Sequence, residues 1–273
     1  MNIAIRARAL AAVTVIGATA LGGCGNDAAD AQVPTIDVVA SDYSFAMPKE
    51  VTGGVVRLAL DNKGGRVHIA QLVRIDAGHS SNDVVELIQA SEDGTGPSAA
   101  PDWFHQTGIE FAPLGPGRRS AIVTDLAAGT YVLFCLLRTP DGPHALSGMV
   151  GSFTVTGSPK ATPPVADTTL AVDDDGFTLT PMKAGRHLVA LRNSGTRSHE
   201  FAFAQLHPGA TFDEAGAFIQ EGQVGELPAE YAGGTSAVEP GETKLVEVEL
   251  AAGDWTVVDV GDEGVLTGAL TVG

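Results

Sequence analysis

Short apolar runs separated by glycine and proline fill the chain from position 35 onward. In one of these runs Val56, Leu58 and Leu60 alternate with positions that include Arg57 and Asp61. Such alternation is typical of a half-buried β-strand. The predicted strands cover residues 36–40, 55–60, 68–75, 121–126, 131–137 and 152–155. Many short strands divided by turn residues indicate an all-β sandwich or barrel.

One segment of the first half has the spacing of a helix instead of a strand. Val84, Leu87 and Ile88 stand at positions i, i+3 and i+4, which lie on the same face of an α-helix. We therefore predict a short helix over residues 82–90.

The second half of the chain repeats the pattern of the first. Residues 60–68 align without a gap on residues 191–199, so that His68 falls on His199, 131 positions later. At the same offset, the segment that begins at Ser80 falls on the one that begins at Thr211, where Thr211-x-x-Glu214 has the form of a helix capping box. The sequence thus predicts two tandem copies of one all-β domain, each with one short helix.

Composition shifts along the chain suggest where these copies begin and end. Residues 1–23 combine Arg6 and Arg8 with an apolar run that is too short to span a bilayer, which is typical of a targeting segment. Residues 158–166 form a proline-rich linker, which predicts few contacts across it and independent folding of the two halves. The predicted units are a signal peptide (1–23), a tether (24–33), a first domain (34–157), the linker (158–166) and a second domain (167–273).

The chain is strongly acidic, with a formal net charge of -17 at pH 7. Such a surface argues against nucleic acid as a partner and against a polybasic face that binds anionic membranes. It suits contact with a basic protein.

Three metal-binding side chains occur close together in the first copy. Cys135, His144 and Met149 follow one another in a loop between two apolar runs, with the spacing C-x8-H-x4-M. Thiolate, imidazole and thioether, joined by one more distant imidazole, form the donor set of a blue-copper site. His68, which begins a predicted strand after a glycine-containing turn, is the candidate for that second imidazole. Zinc is the competing metal, since Cys and two His also suit it.

This loop, with the strand that follows it, resembles the cupredoxin family, the relatives of plastocyanin and azurin. The resemblance implies a Greek-key β-sandwich in each copy. It also implies one type 1 copper ion held by His68, Cys135, His144 and Met149. The chain departs from the family in one respect, because Ile69 stands where many members have Asn after the first His.

The segment Leu21-Gly22-Gly23-Cys24 resembles the lipobox of bacterial lipoproteins. The resemblance implies that Cys24 becomes the lipidated N-terminus of a protein on the outer side of a membrane in the bacterial cell envelope. The lipid would then be its membrane anchor. Because the chain has two Cys, Cys135 would be left without a disulfide partner.

The second copy has lost the candidate donors apart from one histidine. The alignment places Asp259 at the position of Cys135 and Leu266 at the position of Met149. One imidazole does not make a copper site, so we expect His199 to be a hydrogen-bonded residue at a strand end. The second domain is then predicted to be structural or to form a surface for a partner.

Three functions follow from these residues: a one-electron carrier with a redox protein partner, a copper sequestration or delivery protein, and a metal-free interaction scaffold. Copper nitrite reductases and multicopper oxidases have His beside the ligand Cys, whereas Phe134 and Leu136 stand there in this chain. The sequence therefore predicts that the chain is not an enzyme. The scarcity of Met favours electron transfer over copper delivery.

Overall fold

The structure is a computed structural model that describes residues 33–157, 161–261 and 264–273. The predicted signal peptide, Cys24 and most of the predicted tether lie outside this range. Within it, no helix is both long enough and apolar enough to cross a membrane.

The first half consists of short strands and one helix. In chain order these are β1 (Thr35–Ser41), β2 (Ser44–Ala46), β3 (Glu50–Thr52), β4 (Gly54–Asn62), β5 (His68–Ile75), α1 (Ser81–Glu92), β6 (Phe104–Leu114), β7 (Arg119–Leu126), β8 (Gly129–Phe134), β9 (Arg138–Thr139), β10 (Gly142–Pro143), a 3₁₀ helix (His144–Ser147) and β11 (Val150–Thr156).

Among the described residues, the second half repeats this order without equivalents of β3, β9, β10 and the 3₁₀ helix. Its elements are β12 (Thr168–Asp173), β13 (Gly176–Thr178), β14 (Gly185–Asn193), β15 (His199–Leu206), α2 (Phe212–Gln220), β16 (Ala229–Val238), β17 (Thr243–Leu250), β18 (Gly253–Gly261) and β19 (Gly264–Val272). The prediction of an all-β fold with two tandem sandwiches and one short helix in each is confirmed.

Capping residues explain where the two helices begin. Ser80 accepts a hydrogen bond from the backbone at the start of α1, and the Asp83 carboxylate accepts one from the Ser80 backbone. Thr211 and Glu214 make the same reciprocal pair at α2. Each pair satisfies backbone N–H groups that a helix start would otherwise leave without a partner.

Equivalent strands of the two halves pair with each other, so each of the two large sheets contains strands from both halves. One sheet has the order β13-β12-β14-β17-β7-β4-β1-β2, and the other has the order β19-β18-β15-β16-β6-β5-β8-β11-β3. β17 pairs antiparallel with β7, and β16 pairs antiparallel with β6. One hydrophobic cluster contains buried residues from both halves. The expectation of few contacts between the domains is therefore wrong, and the domain boundaries themselves remain a prediction.

The register of these pairs relates the two halves by a local two-fold axis. Ile122 pairs with Val246, and Phe111 pairs with Thr235. Each partner lies 124 positions further along the chain, which is the offset that relates the two copies in this region. A residue that pairs with its own equivalent lies at the axis of a two-fold arrangement, as in an isologous dimer interface.

The strand β6 was not predicted from the sequence. Its pairing with β5 changes register twice, and Gly108 within it has a φ of 69°. Such irregular positions interrupt the alternation by which a strand is recognised. His105 lies in β6, where its Nε2 atom is 2.8 Å from Asp76 Oδ1.

Candidate metal centre

Three of the four predicted ligands meet inside the first sandwich. Nδ1 of His68 lies 3.2 Å from Nδ1 of His144, and that atom lies 3.5 Å from Sγ of Cys135. The three donor atoms lie within 4.8 Å of one another, and they are the one His, Cys or acidic cluster with metal-binding geometry among the described residues. All three side chains are fully buried.

Strand ends bring these residues together. His68 is the first residue of β5, and Cys135 follows directly after β8, its antiparallel neighbour. His144 opens the 3₁₀ helix, which begins after Pro143. The loop thus leaves the sheet at Cys135 and returns with His144 to the same end of the sandwich.

Backbone hydrogen bonds close the loop tightly. The Cys135 N–H donates to Met149 O (3.2 Å), and the Met149 N–H donates to His144 O (3.0 Å). The Ala145 N–H donates to Cys135 O (2.9 Å). Gly148, with a φ of 108°, ends the 3₁₀ helix in a conformation that favours glycine. These bonds place Met149 beside Cys135 and His144, and its side chain is fully buried.

The outer nitrogen of His68 is held by an acidic side chain. Asp42, in the turn between β1 and β2, accepts from the backbone N–H groups of Gly65 and Arg66 and lies 3.3 Å from His68 Nε2. A carboxylate on the outer nitrogen fixes the ring orientation and the tautomer of a metal-ligating His. It directs Nδ1 of His68 toward the centre of the cluster.

Burial also determines the protonation of the three donors. Burial lowers the pKa of His144 to about 4, with the nearby His68 acting in the same direction, and it lowers the pKa of His68 against the raising effect of Asp42. Both imidazoles are therefore neutral near pH 7 and have a lone pair for a metal. Burial raises the pKa of the Cys135 thiol to about 12, although backbone hydrogen bonds from Ile69 and Leu137 lower it. A bound metal would have to displace that proton.

The donor set fits one thiophilic metal ion. Bonds of about 2.0–2.3 Å to nitrogen and sulfur at near-tetrahedral angles place donor atoms at separations like the 3.2 and 3.5 Å found here. His144 Nε2 is buried without a hydrogen-bond partner among the described residues, so Nδ1 is the only ring atom of His144 that meets other donors. Thiolate with imidazole suits copper or zinc, and a thioether favours copper.

The order of the strands and the position of the ligand loop identify the fold. It is a cupredoxin-like β-sandwich.

No family model matches the chain, and no curated protein matches it in sequence. Among solved structures, auracyanin from the photosynthetic bacterium Roseiflexus castenholzii is 23% identical over 45% of this chain and 96% of its own, with a TM-score of 0.31. Auracyanin A from Chloroflexus aurantiacus, a "blue" copper protein, is 20% identical over 45% of this chain and 98% of its own, with a TM-score of 0.31.

Solved structures that align with most of the chain include copper enzymes. The copper nitrite reductase of Nitrosomonas europaea is 13% identical over 88% of this chain and 93% of its own, with a TM-score of 0.24. A multicopper oxidase aligns over the same share of this chain. The prediction that the chain is not an enzyme is wrong on this comparison, because the solved structures that align with 88% of the chain include a multicopper oxidase and a copper nitrite reductase.

Sequence reasoning missed two residues that shape the centre. Asp42 lies in a polar turn far from the ligands in sequence, and its proximity to His68 follows only from the parallel pairing of β1 with β4. Tyr43, with a φ of 64°, places its ring edge-on against His144, with ring centroids 5.3 Å apart. A non-glycine residue in this backbone region is uncommon and tends to mark a functional site.

Proposed function

We propose that the first domain is a type 1 copper centre for one-electron transfer, in which His68, Cys135, His144 and Met149 hold a single copper ion. The observation that carries the proposal is the convergence of two imidazole Nδ1 atoms and one thiol on the same buried point. Copper bound there would supply a one-electron redox couple, which its ligands tune.

The residues of the chain would keep that centre rigid and dry. The ligands are fully buried, and backbone hydrogen bonds tie both ends of the loop, so little movement is possible when the charge of the centre changes. A pre-ordered, water-free site suits electron transfer better than copper delivery, because delivery requires the metal to leave.

A copper(II) titration tests the ligand assignment. The wild-type protein should saturate near one equivalent and develop an intense thiolate-to-copper absorption band, whereas Cys135→Ser should lack the band. His199→Gln, a change at the equivalent histidine of the second domain, is the matched control and should behave as the wild type. Two equivalents in the wild type, or a band that persists in Cys135→Ser, would refute the assignment.

A competition experiment distinguishes a copper site from a zinc site. Protein loaded with one equivalent of zinc should turn blue when an equimolar amount of copper(II) is added, because copper binds such donors more tightly than zinc. A colourless product that keeps its zinc would identify a zinc site instead.

Electron transfer is separated from copper handling by the behaviour of the reduced protein. A carrier should give a reversible one-electron voltammetric wave and retain its copper in the presence of a copper(I) chelator. Loss of copper to the chelator within the time of one reduction cycle would favour sequestration or delivery.

We also infer that the mature protein is attached to the outer side of a bacterial membrane by lipid on Cys24. The support is the lipobox-like segment in residues 21–24. A redox protein with a basic surface would be the fitting partner for so acidic a chain. Cys24→Ser should release the protein from the membrane fraction or stall its processing, and an unchanged membrane fraction would refute the anchor.

A further inference from the structure

We propose that the second domain positions the metal ligand His68 through Gln223, so that the copper centre is completed across the domain interface. The inference rests on the proposed function of the first domain and assigns a task to the domain that lacks the ligands. Gln223 is a positioning residue, since it acts on the ligand through the backbone of Val67.

The contact is a pair of hydrogen bonds to the residue that precedes the ligand. Gln223 Oε1 accepts from the Val67 N–H (2.7 Å), and Gln223 Nε2 donates to Val67 O (2.9 Å). Val67 is fully buried, and Gln223 is 7% exposed. Buried backbone groups without partners are costly, so this amide does for Val67 what a neighbouring strand does elsewhere in a sheet.

The same turn of the second domain touches the other segment that carries ligands. A Cβ atom at Gly222 would lie 2.9 Å from Pro140 Cδ and 3.0 Å from the Thr139 carbonyl carbon. The Arg66 guanidinium donates to Gly222 O at 3.4 Å. Gly222 and Gln223 both have positive φ, 93° and 58°, so the backbone of this turn is left-handed. The turn therefore contacts the approach to His68 and the loop that leads to His144.

This contact departs from the local two-fold relation between the halves. Glu92 stands 131 positions before Gln223 at the end of α1. Instead of reaching across the interface, its carboxylate lies 2.6 Å from Arg138 Nη1, in the ligand loop of its own domain. The ligand loop is thus braced from both domains, which is the arrangement expected if the second domain serves the metal-bearing half.

The consequence for the centre is positional. Asp42 fixes the outer nitrogen of His68, and Gln223 fixes the backbone of Val67, the residue directly before His68. A small displacement of Val67 would move His68 Nδ1 relative to the Cys135 sulfur. Groups that orient metal ligands change metal affinity by about 10–100-fold when they are removed.

The experiment compares Gln223→Glu with a matched control in the intact chain. The isosteric carboxylate cannot donate to Val67 O, and Gln223→Asn, whose amide is one methylene shorter, tolerates the left-handed backbone but cannot reach Val67. Ser120→Ala is the control, because Ser120 Oγ donates to Glu247 O (2.9 Å) across the same interface in the other sheet. Each variant is titrated with copper(II), and its absorption spectrum and reduction potential are recorded.

Both Gln223 variants should bind copper about 10-fold more weakly, with a changed ratio of charge-transfer bands and a shifted potential. Ser120→Ala should keep the wild-type spectrum and potential even if it unfolds more easily. In the metal-free protein, hydrogen exchange at the Val67 amide should accelerate in Gln223→Asn, which removes the acceptor of that N–H, and should stay as in the wild type in Ser120→Ala. Spectra and potentials equal to wild type in both Gln223 variants would overturn the inference. A wild-type protein without the band would overturn the proposed function instead.

Discussion

The two histidines that begin equivalent strands, His68 and His199, have the same outer surroundings and different inner ones. On the outer side, Nε2 of each ring lies 3.3 Å from a carboxylate oxygen, of Asp42 in the first domain and Asp174 in the second. Each carboxylate also accepts from backbone N–H groups of the turn that directly precedes the histidine. This brace therefore belongs to the shared fold and does not depend on a metal.

On the inner side, a carboxylate of the second domain occupies the position of the thiol. Asp259 Oδ2 lies 2.6 Å from His199 Nδ1, and Asp259 Oδ1 accepts from the Glu200 N–H at 2.8 Å. In the first domain the equivalent N–H, that of Ile69, donates a hydrogen bond to the Cys135 sulfur. The expectation that His199 is a hydrogen-bonded strand-end residue is confirmed. Asp259 stands where the first domain has Cys135, and it gives His199 Nδ1 a hydrogen-bond partner that a metal would have to displace.

The largest expected effect comes from making the first site like the second. In Cys135→Asp the carboxylate should accept from the Ile69 N–H and face His68 Nδ1, as Asp259 does for its own neighbours. Absorption spectra after addition of copper(II) should then show no thiolate band at all. An intense band in this variant would mean that the thiol is not a ligand.

A smaller effect is expected from removing the carboxylate of the second site. Asp259→Ala leaves His199 Nδ1 and the Glu200 N–H buried without their partner, which should lower the free energy of unfolding by about 3 kcal/mol. Asp259→Asn keeps an acceptor for the Glu200 N–H and should cost less. Denaturant unfolding of the metal-free chain measures both, and equal stability of Asp259→Ala and wild type would contradict the assigned pairing.

The smallest effect concerns Glu200, which stands beside His199 at the position equivalent to Ile69 of the first domain. Burial raises the pKa of its carboxyl from 4.5 to about 7, and the charges of Asp259 and Glu110 act in the same direction. The folded protein therefore holds this proton more tightly than the unfolded chain does. Its contribution to stability is present below pH 4.5 and is lost as the pH rises to about 7.

Unfolding midpoints at pH 5 and about 7.5 test this sign. Glu200→Gln should flatten the decline in stability across the interval, whereas Glu86→Gln, a change on the exposed face of α1, should leave the decline as in the wild type. Because Glu200 keeps some contact with solvent, the difference should be modest. A wild-type stability that rises over the interval and is unaffected by Glu200→Gln would show that the carboxyl is not perturbed.

Much of the fold was predictable from the sequence because most strands and the helix of one copy have equivalents in the other, and the two patterns support the same prediction. The alignment of His68 on His199 and of Ser80 on Thr211 identified equivalent strands and helices, and α1 was displaced by only one or two residues at its ends. The pairing of β7 with β17 was not predictable. An apolar strand has the same alternation whether it lies at a sheet edge or inside a longer sheet.

The ligand loop was predictable because three donors lie within 15 residues, from Cys135 to Met149, in an order that suits one metal. The supporting residues were not, because a single Asp or Gln in a polar turn has no spacing that distinguishes it. Asp42 and Gln223 reach the centre only through tertiary contacts, one through strand pairing and one through the domain interface.

The self-equivalent pairing of Ile122 with Val246 has a consequence for the separated halves. A strand that pairs with its own copy in the tandem chain is self-complementary, so a lone first domain would expose β6 and β7 as unsatisfied edges that match a second molecule of themselves. We expect such a fragment to form homodimers at high concentration. Joining both copies in one chain turns that encounter into an intramolecular step and occupies the edges before another molecule can add to them.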